Sequence, residues 1–272
     1  MHQTHLLSTS TTRRTFARGA LFTAVLGACA LLAADAGAAT LDVCASGCSY
    51  SSIQTAVHAA SSGDVIELAP ETFNEGGIWI NKNLTVRTSS GIATVDGGSS
   101  RYTFQVQSPA VVTLKDLTLR GGTDCRFDNL GTAYLSTVSV LGDGWGSPSS
   151  FGGILNQSSG TLVIKNSTVI SDNASTNWGG GITNHGHLMI RFSTVSDNQG
   201  HRGGGLYNYQ GVVAVHNSTF SGNNATYKGG AWANVSADGI VAYLRTASTS
   251  SNTADVDCDT FWDVGAAVDC LN

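Results

Sequence analysis

The sequence predicts an all-β solenoid, a stack of short-stranded coils closed at its N-terminal end by a short helix. Three observations carry that expectation. The second half writes one phrase three times: GGILNQSSGTLVIKNSTVISDNAST, GGITNHGHLMIRFSTVSDNQGH and GGLYNYQGVVAVHNSTFSGNNATY, with a decayed fourth copy beginning GGAWANVSADGIVAYL. Equivalent asparagines recur every 24 to 28 residues, Asn156, Asn184, Asn208 and Asn234 in one column and Asn173, Asn198 and Asn223 in another. A period of that size, built from β-type runs and Gly/Asn turns, is the mark of one coil per repeat. Finally, helical spacing near residue 50 gives way to short strands, as a capped solenoid requires.

In chain order, the first element is a targeting segment. Thr12-Arg13-Arg14-Thr15-Phe16-Ala17-Arg18 precedes an apolar run from Ala20 to Ala34, and Ala36-Gly37-Ala38 offers a small-residue cleavage site. This resembles a twin-arginine export signal over residues 1–38, leaving 39–272 as a single domain. A membrane anchor is the alternative, although the run falls short of the roughly 20 residues of a span. Leu26-Gly27-Ala28-Cys29 offers a third reading as a lipoprotein box. The expectation is a secreted or periplasmic protein with no stable membrane anchor after cleavage.

Beyond position 38 the chain carries 11 Lys and Arg against 18 Asp and Glu. That balance argues against nucleic acid as a partner, because phosphates need a basic face. Five cysteines follow the signal. Cys44 with Cys48, and Cys258 with Cys270, are plausible staples at the two ends of a solenoid in an oxidising compartment. Cys125 is left over and reads as a buried thiol.

The segment Tyr50–Ala60 has Ile53, Ala56, Val57 and Ala60 at helical spacing, with Ser51 or Ser52 as cap. Short strands follow at Val65–Leu68, Gly77–Ile80 and Leu84–Val86. A small amphipathic helix there covers apolar core and unpaired strand edges that the first coil otherwise exposes. The stretch YSSIQTAVHAASSGDVIELAPETFNEGGIWINKNLTVR resembles the N-terminal cap and first coils of the pectate-lyase-like, right-handed parallel β-helix superfamily. The GGxxxN…STxSxN phrases are similar to the β-helix repeats of bacterial surface and secreted proteins, including polymorphic outer-membrane proteins. The resemblance implies a right-handed parallel β-helix; its members include lyases, hydrolases, epimerases, depolymerases and adhesins, so it bears on fold more than on function.

The repeat columns lead to the same fold independently. Leu162/Ile164, Leu188/Ile190 and Val213/Val215 alternate with polar residues, as one strand per coil does. Val169, Val195 and Phe220 form a second inward column, and Ile154, Ile182, Leu206 and Trp232 a third, so each coil has three sides. The glycine runs before each third strand are expected to permit tight turns.

Chemistry is sought in one turn column. Trp178, Arg202 and Lys228 fall in register, with Asn177, His201 and Tyr227 beside them. Coils about 4.8 Å apart bring an aromatic, a guanidinium and an ammonium together, a set that suits a sugar ring bearing a carboxylate. A surface cation–π contact of Trp178 on Arg202 is the plainer reading. Upstream in the same loops stand Asp172 and Asp197, with Asp143 as a possible third. Stacked carboxylates repel unless a cation bridges them, and Ca²⁺ takes roughly six to eight oxygen ligands of this kind; Asp-Asn pairs also simply favour turns. The superfamily resemblance implies that Ca²⁺ neutralises a uronate while Arg or Lys removes the adjacent proton. In that reading Arg202 or Lys228 is base or carboxylate clamp and Tyr227 or His201 proton donor. Tyr207, Tyr209 and His185 extend an aromatic sugar-binding surface. Two functions follow: a polysaccharide lyase acting on an acidic extracellular glycan by β-elimination, or a non-catalytic glycan-binding or adhesin-like surface protein.

Overall fold

A computed structural model of the chain describes residues 37–143, 149–166, 169–235, 242–245, 248–254 and 261–263. Residues 1–36, most of the expected export signal, and Cys258 and Cys270, expected to pair, lie outside the described residues. The described chain is a parallel β-solenoid of about eight coils, with one helix. Fifteen strands make one sheet, eight a second and three a third. In each sheet the neighbours are one coil apart along the chain: Thr161–Lys165 lies between Thr132–Leu141 and His187–Arg191, and Ile182–Asn184 between Ile154–Asn156 and Leu206–Tyr209. All of this pairing is parallel, which a stack of like coils produces from a direct repeat.

The interior is the set of apolar columns. Leu162, Leu188 and Val213, with Ile164, Ile190 and Val215, are in register and buried. Ile154, Ile182, Leu206 and Trp232 form the opposing column. The remaining inward column is Ile170–Val195–Phe220, not Val169–Val195–Phe220. Its copy carries VIS where the next two carry TVS and TFS, so the inward position is Ile170.

Two rows of asparagine run through the corners. Asn129 Nδ2 donates to Asn156 Oδ1 at 2.8 Å, Asn156 to Asn184 at 2.7 Å, Asn184 to Asn208 at 2.7 Å and Asn208 to Asn234 at 2.6 Å. In the other row Asn173, Asn198 and Asn223 each donate both backbone N–H and Nδ2 to the Oδ1 of the next, ending on Asn252. Each Nδ2 also reaches a backbone carbonyl, of Val140, Ile170 and Val195 respectively. An amide carries both donor and acceptor, so each interior member of such a chain is matched on both sides inside the core. This row also explains a glycine that the sequence reading ascribed to turn geometry: a Cβ on Gly153 would lie 2.8 Å from the Asn173 side chain.

The corners are set by left-handed residues. Register aligns Asp116, Thr137, Asn166, Phe192 and Asn217 at one bend, and all have positive φ, from 46° to 63°. Asp172, Asp197, Gly222 and Ser251 make a second such bend, with φ of 55° to 63°. Asp and Asn tolerate this conformation because the short polar side chain bonds locally.

At the N-terminal end, Thr40–Val43 adds a strand that the sequence reading did not anticipate, pairing with Val65–Leu68. The helix spans Ile53–Ala59 and buries Ile53, Ala56 and Val57. Ser52 Oγ caps it by accepting from Thr55 N at 3.2 Å, and the Glu75 carboxylate accepts from Ile53 N at 2.7 Å and Gln54 N at 2.8 Å. These are donors that the first turn of a helix leaves without intrahelical partners. Cys44 and Cys48 are disulfide-bonded next to this cap. Cys125 is a free, buried thiol, pushed well above its ordinary pKa by burial.

Candidate functional site

The predicted turn residues come together on the later coils. Gln199–Arg202 and Asn224–Lys228 pair in the third sheet, with Arg202 opposite Lys228 and an irregularity between Gly200 and Arg202. His201 and Tyr227 stack at 5.3 Å with their planes 16° apart, and His201 Nδ1 lies 3.1 Å from Thr226 Oγ1. The Arg202 guanidinium sits 5.3 Å and the Lys228 ammonium 5.1 Å from the Tyr227 ring centre. Tyr227 is thus flanked by both cations.

Trp178 takes another partner. The expected contact was with Arg202, but in this turn it is His201 N that donates to the Trp178 carbonyl, at 3.1 Å. The indole instead stacks on Tyr207, 5.4 Å between ring centres and 27° between planes. Tyr207 stacks on Tyr209 at 6.2 Å, and Tyr209 meets His185 edge-on at 5.6 Å. Tyr207 is fully buried, so it supports its neighbours and is closed to direct ligand contact. Its phenol lies beside Arg202, short of hydrogen-bond geometry. Burial raises the Tyr207 pKa, and Arg202 opposes the rise; burial lowers that of His185, which keeps the imidazole neutral at neutral pH. Tyr209 is 37% exposed, and Trp178, His185, Arg202, Tyr227 and Lys228 are partly so. The result is a shelf made of two ring groups, Trp178–Tyr207–Tyr209–His185 and His201–Tyr227, with Arg202 beside a ring of each and Lys228 on the second.

The acidic set is not brought together as expected. Gly142, not Asp143, falls at the Asp172 position, since Leu141 pairs with Ser171 and Gly142 N donates to the Ser171 carbonyl. Asp143 instead meets Arg120 at 3.6 Å and Arg126 at 3.4 Å. Asp172 and Asp197 hold the left-handed corner, which is the turn role their Asp-Asn pairs suggested. Among the described residues, no group of three or more His, Cys, Asp or Glu side chains is placed to hold a metal ion.

Sequence reasoning missed a second polar cluster, on the earlier coils. Asp128 faces out of the second sheet yet is buried, and accepts from Gln105 at 2.7 Å and Gln157 at 3.0 Å. Burial raises its pKa above the ordinary carboxylate value, with the two amides acting against the rise. Arg126 is 1% exposed, and its Nε and Nη1 have no partner. Arg101, Arg120 and Arg126 interrupt a stretch where the repeat phrase is absent, the one signal that could have found them. No protein-family model matches this chain, and neither does any curated protein.

Proposed function

We propose that this protein is exported and engages an acidic polysaccharide on the shelf formed by Trp178, Tyr209 and Tyr227, with Arg202 and Lys228 as contacts for the carboxylates. The observation that carries this reading is the pair of stacked ring groups, Trp178–Tyr207–Tyr209 and His201–Tyr227, with Arg202 beside both Tyr207 and Tyr227 and Lys228 on Tyr227. Ring faces bury the apolar faces of sugars, while Arg binds carboxylate through two parallel N–H groups. Binding without chemistry is the reading best supported. β-Elimination is the second, favoured by the position of His201 and Tyr227 beside Arg202, a proton donor next to a cationic clamp; Ca²⁺ would then serve as the uronate's counter-charge.

The test is a panel of polyuronates and neutral glycans, with and without Ca²⁺, offered to the purified chain lacking residues 1–38. Retention on an affinity gel and ultraviolet absorbance of unsaturated ends are followed together. Retention that Trp178→Ala weakens roughly fivefold and Arg202→Ala/Lys228→Ala abolishes for acidic glycans alone supports binding at the shelf. Unsaturated ends lost in the same double variant would replace binding by lyase action. Full retention in both variants would remove the shelf from the function.

A further inference from the structure

The first backbone atom that the body holds coincides with the bond at which the sequence expects the export signal to be cut. Gly37, Ala38 and Ala39 are exposed and precede the first strand, Thr40–Val43. Gly37 and Ala38 make no hydrogen bond among the described residues, and a Cβ on Gly37 would meet nothing within 4 Å beyond its chain neighbours. Ala39 is tied at both ends. Its N–H donates to Asp64 Oδ1 at 2.8 Å, and its carbonyl accepts from Val65 N at 2.8 Å, just ahead of the Thr40–Val65 pair that opens the strand register. Independently, the small residues Ala36-Gly37-Ala38 set the cleavage site immediately before Ala39.

The acceptor is itself an anomaly. Asp64 is buried, 8% exposed, and its Oδ2 accepts from Ser61 N at 2.7 Å, so each carboxylate oxygen faces a backbone N–H. Among the described residues, no Lys, Arg or His side chain lies within ion-pair distance of it. A carboxylate in such a place loses hydration without gaining a counter-charge, which is costly.

We infer that hydrolysis of the Ala38–Ala39 bond completes the N-terminal cap, by converting the Ala39 amide into an α-ammonium that ion-pairs with buried Asp64. A signal peptidase breaks the C–N bond; the oxygen of water goes to the Ala38 carboxylate, and its two hydrogens go to the Ala39 nitrogen, giving –NH3+. That group is protonated at neutral pH. One neutral donor becomes three charged ones on an atom already at hydrogen-bond distance from the carboxylate, and a charge-assisted bond is about twice as strong as a neutral one. The gain falls on the strand that ends the stack, because Ala39 leads the pairing of Thr40–Val43 with Val65–Leu68. Processing thus tightens the cap; this device rests on the proposed export of the chain.

Two measurements test it. Mass spectrometry locates the N-terminus of the protein exported by a bacterial host that has a twin-arginine route, and Ala39 is expected. Residues 37–272 form a compact unit of their own, so denaturant unfolding then compares chains made to start at Ala39, at Gly37, and at Ala39 with an acetylated terminus. Each is made with Asp64 and with Asp64→Asn, and circular dichroism verifies that all are folded. Asp64→Asn is expected to lower the folding equilibrium constant roughly tenfold more in the free Ala39 chain than in the other two. Equal losses in all three overturn the ion pair and leave Asp64 as a turn residue that accepts an ordinary amide. An exported protein that starts elsewhere overturns the link to processing while export stands. A chain that stays in the cytoplasm with residues 1–38 attached removes export, and this device with it.

Discussion

Single residues carry the clearest conflicts between local and global demands. Phe192 occupies a left-handed bend at a cost of about 1–2 kcal/mol for an L-residue other than Gly, Asn or Asp. Phe192→Asn restores the residue type of the Asn166 and Asn217 positions in that column, and the backbone bond from residue 192 N–H to the His216 carbonyl remains. The variant is expected to gain about 1 kcal/mol, or roughly 2–4 °C in Tm; a lower melting midpoint would show that the ring packs usefully. Asp128 offers the electrostatic counterpart. Its folded-state pKa is raised, mainly by burial, so the folded protein binds this proton more readily than the unfolded chain. Its contribution is most favourable below the unfolded pKa and is lost as pH rises through the folded one. Asp128→Asn should therefore be more stable than the native protein at pH 7, with the gap closing as pH falls below the carboxylate range; denaturant melts at several pH values measure this. Neither residue was legible in the sequence. The repeat spacing places Phe192 in register with Asn166 and Asn217 but does not reveal a strained bend, and nothing around Asp128 announces that its outward position is roofed over.

At the scale of elements, the two asparagine rows bond each coil to the next. Both were legible because a buried amide that pairs with its own copy in the next coil must recur at the coil period. Asn184 sits mid-row, accepting from Asn156 and donating to Asn208, each at 2.7 Å. Asn184→Ala leaves a buried donor on one side and a buried acceptor on the other, and each orphan costs about 1–3 kcal/mol. Asn129, the first described member of its row, already has an unpartnered Oδ1, so Asn129→Ala orphans only one neighbour. Equilibrium unfolding should place Asn184→Ala about 2 kcal/mol below Asn129→Ala; equal losses would mean that the rows act as spacers and not as bonded chains. The Trp178 contact was illegible for a related reason. Trp178 lies in a turn outside the strands, where the repeat spacing does not fix which neighbour a side chain meets. Asp143 was misplaced by a single step, since the copy before the first full repeat lacks the phrase that fixes its register.

At the scale of the molecule, each coil contacts chiefly the coils before and after it, so the ends decide whether the stack is finite. Thr40–Val43 and the helix Ile53–Ala59 close one end: the strand pairs with Val65–Leu68, and the helix covers the first coil with Ile53, Ala56 and Val57. Glu75 and Glu71 fasten this cap to the body by accepting from Ile53, Gln54 and Ala45 N, and the Cys44–Cys48 disulfide closes a loop within it. Without residues 37–60, the strand Val65–Leu68 becomes an edge with unpaired N–H and C=O groups beside the uncovered Ile66 and Leu68. Such an edge is a template for pairing with another chain. The truncated protein is expected to self-associate with increasing concentration in sedimentation velocity, whereas the chain from residue 37 keeps one sedimentation coefficient over the same range. Val65→Lys in the truncated chain should oppose the association by placing a charge on the outward side of the exposed edge. A truncated chain that stays folded and monodisperse would mean that the cap serves something other than closing the stack, and would point to its outer surface as a place to look for a partner.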